Sequence, residues 1–101
     1  MAISIHEGSL FAEKFEMVSP NWMLLRVLRV FQNVVYVRMY HGQYETPPQP
    51  ESLDLEQLDV FINFIPMRLS EFASKPKLLI KIVPLTGKEI LESQRWCDIP
   101  F

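Results

Sequence analysis

The residues able to do chemistry are few and poorly spaced for it. His6, His41 and Cys97 are the soft metal ligands, and no two of them stand at ligand spacing. No metal site is predicted. Cys97 and a distant His41 could in principle form a nucleophile and base. The surrounding "RWCDIPF" lacks the turn that would expose a nucleophile, so Cys97 reads as a packed or half-exposed thiol. Gly8, Gly42 and Gly87 are isolated from one another, which leaves no phosphate-cradling loop. Asp54, Glu56 and Asp59 offer paired carboxylates, but acids crowd in this way at the start of a helix. The expectation is a non-enzymatic protein with no catalytic residue, no cofactor and no metal.

Charge is more informative, because it falls in blocks. Arg26, Arg29 and Arg38 have no acid between them. Glu45, Glu51, Asp54, Glu56 and Asp59 then follow without a base. From Arg68 to Lys88 stand Arg68, Lys75, Lys77, Lys81 and Lys88 against Glu71 alone. If Arg29 and Arg38 share a sheet face with Tyr36 and Tyr40, that face mixes Arg with Tyr, as protein interfaces do. Tyr44 and Glu45 would extend it into the connection that follows. These six residues are the predicted partner-binding set. The same face would suit base stacking and phosphates, but the net charge of −2 favours a protein partner over nucleic acid.

These side chains must be held by a chain of 101 residues, 49% of them apolar, with seven Phe, three Tyr and two Trp. That is one domain's worth of core, spanning 1–101. With Cys97 as the single cysteine no internal disulfide can form, and a reduced, cytoplasmic setting is expected. The N-terminal "MAISIHEGSLFAEKFE" does not resemble a secretory signal, and no apolar run of membrane-spanning length occurs.

The elements are read as follows. Ile3–Ile5 suits a short edge strand. Ser9 can cap a short helix in which Leu10, Phe11 and Phe15 oppose Glu13, Lys14 and Glu16. The stretch 22–40 fits either a helix begun by Ser19 and Pro20 or a hairpin turning at Gln32-Asn33; the β-branched run 34–37 favours the hairpin. Its two faces would then be Arg29, Tyr36, Val27 and Arg38 against Leu28, Val30, Val35 and Val37. Residues 41–53 form an exposed proline-rich connection, with Pro47 and Pro50 in a P-x-x-P spacing. A long helix over 54–74 buries Leu55, Leu58, Phe61, Ile62, Ile65, Leu69 and Phe72 and kinks at Pro66. A strand at 77–83 puts Lys77 and Lys81 together on a wet face. Thr86 and Glu89 either box a short helix or lie at the turn into a return strand. The tail "QRWCDIPF" packs back on the body.

The segment "LIKIVPLTGKEI" resembles the first hairpin of ubiquitin. The likeness covers about a dozen residues, lies at the other end of the chain and lacks the diglycine tail, so it implies no function.

The fold class expected is α+β: a small, mostly antiparallel sheet, one long Pro-kinked helix packed on one face, and a short N-terminal helix. The function expected is binding of another protein by surface contact, as a stoichiometric inhibitor, an immunity protein or a phage-type host-takeover protein does. Nucleic-acid binding through the Arg/Lys/Tyr face is the alternative, and no membrane role is expected. Pairing of the exposed 77–83 edge with a second copy is open as well.

Overall fold

The computed structural model describes residues 5–15 and 21–97. Five strands form one sheet: β1 (Ser9–Phe15), β2 (Asn21–Phe31), β3 (Val34–Tyr40), β4 (Val60–Arg68) and β5 (Lys77–Ile82). Two helices accompany them, α1 (Leu69–Ser74) and α2 (Gly87–Cys97), with one-turn 3-10 segments at Pro50–Ser52 and Leu55–Gln57. The spatial order is β4-β3-β2-β1-β5, and every neighbouring pair is antiparallel.

The hairpin of β2 and β3 turns at Gln32-Asn33, as its β-branched strands favour. Gln32 adopts the left-handed φ of 55° that two-residue hairpin turns usually assign to glycine. A register shift between Val27 and Arg29 changes the face partition expected from simple alternation. Val27 joins Val35 and Val37 in one core cluster, while Arg26 and Arg38 lie across from each other on the opposite face.

Two expected helices are absent. Residues 9–15 form β1, with Leu10 and Ala12 buried on one face and Phe11 on the other. A strand buried on both faces reads as a continuous apolar run, and over so short a stretch helical spacing cannot be told from it. The long helix over 54–74 is replaced by a 3-10 turn, the edge strand β4 and the six-residue α1. Pro66 explains much of this. In a helix interior it would cost about 3 kcal/mol, whereas an edge strand tolerates it. The free edge of β3 supplies the pairing that "VFINFIPMR" satisfies. Asp54 accepts a 3.0 Å hydrogen bond from the Glu56 amide, capping one local turn and no long helix. The ubiquitin-like hairpin is also absent: after β5 the chain enters α2. The strand expected at Ile3–Ile5 and the packing of the final residues fall outside the described residues.

The sheet is covered on both faces. On the α1 face, Phe11, Leu25, Val27, Val35 and Val37 pack with Phe72, whose ring meets Phe11 edge-on at 5.7 Å. On the α2 face, Leu10, Ala12, Leu24 and Tyr40 lie beneath Leu53, Leu55 and Leu58. The connection after β3 is therefore a cover for the sheet. Lys81 Nζ fastens it by donating to the carbonyls of Pro50 and Leu53 at 3.1 and 2.8 Å.

Gly8 lies in the turn just before β1, with φ of 89° and Val83 against it. A Cβ there would stand 2.5 Å from the Val83 carbonyl oxygen, in backbone that itself accepts from the Val83 amide at 2.9 Å. Gly8→Ala is expected to lower stability by more than about 1 kcal/mol, seen as a reduced urea midpoint at unchanged slope.

Candidate functional site

Arg26 and Arg38 face each other directly across β2 and β3, a pairing that like charges would oppose. Glu89 of α2 resolves it. Arg26 Nε and Nη2 donate to its two carboxylate oxygens at 3.3 and 3.1 Å, and Arg38 Nη1 donates at 2.7 Å. The carboxylate is aimed by a capping box: the Thr86 amide donates to Glu89 Oε1 at 2.9 Å, and the Glu89 amide donates to Thr86 Oγ1 at 3.2 Å. Burial works against its charged form, yet the Thr86 amide and the two guanidinium groups outweigh it, and the Glu89 carboxyl titrates below its ordinary range. Arg38 Nε also donates to Asn63 Oδ1 at 2.8 Å, tying β3 to β4.

The predicted partner-binding set does not form one surface. Tyr36 and Tyr40 are buried, at 3% and 2% exposure. Arg38 is consumed by Glu89 and Asn63. Arg29 is half-buried, with its guanidinium 5.4 Å from the centre of the Phe31 ring. Tyr44 is half-buried and pairs its backbone with Trp22, at the opposite end of β2 from Arg29. Glu45 is exposed. The two lysines expected on a wet face are also apart. Lys77 is buried toward Phe72 and Glu13, while Lys81 reaches the connection on the other face. A register shift between β1 and β5 separates them.

The first half of the edge strand β4 exposes apolar side chains. Val60, Phe61 and Ile62, consecutive on the edge strand β4, are 44%, 53% and 38% exposed. Phe61 is braced by His41, ring centres 4.7 Å apart and nearly perpendicular. The His41 amide donates to the Asp59 carbonyl at 2.8 Å, which fixes the base of the pair. Beside them opens a cleft of about 510 Å³ lined by Arg38, Val60, Asn63, Lys88, Glu89 and Glu92. Val60 thus borders the charged cleft, while Phe61 stands against His41; exposed aromatic and apolar groups beside charged ones are common at contact surfaces. The helical reading had assigned Phe61 and Ile62 to a buried stripe. The available signal was Pro66 within a β-branched and aromatic run.

Among the described residues no helix is long and apolar enough to cross a membrane, and no group of three or more His, Cys, Asp or Glu is placed to hold a metal ion. The class defined by fold and site is a five-stranded antiparallel sheet, helix-capped on both faces, with an apolar edge left open. No family model matches the chain, and no curated protein or solved structure shows significant similarity to it.

Proposed function

We propose that the protein is a non-enzymatic binding module that docks another protein on the first half of β4. One observation carries the reading: three consecutive apolar side chains stand exposed on an edge strand, with Phe61 at their centre braced by His41. Isolated exposed apolar residues are ordinary, but three in succession on an open edge, with Val60 and Ile62 on opposite faces, offer a partner contacts on both sides of the strand. The nucleic-acid alternative loses its main residues. Arg26 and Arg38 are held by Glu89, Lys77 by Glu13, and Lys81 by backbone carbonyls.

The test is capture of partners by the tagged chain from host lysate, with nuclease present, comparing wild type with Phe61→Asp. Removing a central aromatic anchor typically costs 2 kcal/mol or more, about 30-fold in affinity. The expected result is loss of the captured protein with the circular dichroism spectrum unchanged. Capture that Phe61→Asp leaves intact, or that nuclease abolishes, overturns the proposal.

A further inference from the structure

Among the described residues β5 pairs only with β1, so the far end of the sheet is a second open edge. Edge strands that stay single are guarded by charge, proline or bulges. β4 carries such guards: Pro66 has no amide hydrogen to offer, two register shifts interrupt its pairing, and Asn63 and Arg68 are exposed. β5 carries one register shift of its own, at Ile80 in its pairing with β1, but it has no proline and its two charges are turned away. Lys77 Nζ, its side chain wholly buried, binds Glu13 Oε1 at 3.1 Å and donates to the carbonyls of Phe72 and Lys75. Lys81 Nζ is held by the carbonyls of Pro50 and Leu53. Leu78, Leu79 and Ile82 remain outside, about half-exposed at 49%, 49% and 53%.

We infer that β5 pairs antiparallel with β5 of a second copy about a two-fold axis, joining two five-stranded sheets into one. A strand that fits this edge must present apolar side chains on both faces and bring no unpaired charge, because the lysines here have none left to offer. β5 itself meets both conditions. Leu78 lies opposite Ala12 and Leu79 opposite Phe11, so each face of the edge offers a leucine to its copy. With Lys77 and Lys81 withdrawn, no like charges oppose each other across the axis. Pairing β5 with β4 would instead be head-to-tail and would propagate into a filament. Pro66 and the irregular register of β4 obstruct that route, so association closes at two copies.

Sedimentation equilibrium of the full chain across micromolar concentrations tests this. The expected result is a mass that rises from 11.9 kDa toward twice that value, with amide exchange over 77–82 slowing in step. Leu79→Lys and, separately, Leu78→Lys should each raise the dissociation constant at least about tenfold, with unchanged circular dichroism. Phe61→Asp should leave the dimer intact, because the β4 patch is a different surface. A wild-type chain that stays monomeric, a dimer indifferent to both lysine variants, or a dimer broken by Phe61→Asp would overturn the inference.

Discussion

Lys77→Ala is expected to destabilise the fold by about 3–5 kcal/mol, the penalty for leaving a buried charge without its partner. The Lys77 side chain is fully buried and Glu13 nearly so, and their charged atoms meet at 3.1 Å. Lys77 does more than pair. Its ammonium lies 4.3 Å from the centre of the Phe72 ring and donates to the carbonyls of Phe72 and Lys75 at the end of α1. Alanine would strand the Glu13 carboxylate between β2 and β5 and also leave those carbonyls unmet. Against an ordinary total stability of about 5–15 kcal/mol, the loss is large. The double variant Lys77→Met with Glu13→Leu should recover most of it, because apolar residues of similar volume often replace a buried pair without penalty. Urea unfolding of the three proteins reads this directly. A single variant within about 1 kcal/mol of wild type would show that the pair contributes little.

The second large effect belongs to Glu89. Glu89→Gln should cost about 2–3 kcal/mol at neutral pH, less than a fully buried pair because the carboxylate keeps some exposure. The pH dependence has a definite sign. The folded-state pKa of Glu89 lies below its ordinary value of 4.5. Its contribution is therefore complete above that value and fades as pH falls through the lower folded-state value. Wild type and Glu89→Gln should differ most near neutrality and converge in acid. Unfolding midpoints measured from pH 7 down to pH 3 check this, and parallel curves would remove Glu89 from the acid response. The same geometry sets the effect of reversing Arg38. A glutamate there would face Glu89 across the former ion pair, so Arg38→Glu should unfold the α2 contact before it reports on any partner.

The local parts of this fold were legible in the sequence. The β-branched run 34–37 marked β3, and the alternation after Pro76 marked β5. The Thr86 and Glu89 spacing offered the capping box that α2 uses. The rest depended on contacts far apart in the chain. Leu55 and Leu58 are half-buried against the sheet, on the side a helical stripe would present, but from a 3-10 turn and the segment after it. The spacing thus continued by coincidence into a strand. What made 60–68 a strand was the waiting edge of β3 across a long connection, which no local pattern encodes. Register shifts defeated the face assignments twice, at Val27/Arg29 and at Leu10/Phe11, because one added residue reverses every side chain beyond it. The predicted Arg and Tyr set is dispersed by contacts distant in sequence: Glu89, which holds Arg38, stands on another element altogether.

The placement of β1 between β2 and β5 bears on how the chain comes to fold. β2 and β3 are joined by two residues and can zip quickly. β1 must hold one open edge until β5 arrives, after the connection, β4 and α1 have all been passed. Closing so large a loop costs entropy before any contact repays it, which places such topologies among the slower folders, on the millisecond-to-second scale. During synthesis, Ser9–Phe15 emerges early and its second partner emerges late. The interval leaves an apolar strand half-paired, and that interval is when this chain is most open to misassociation.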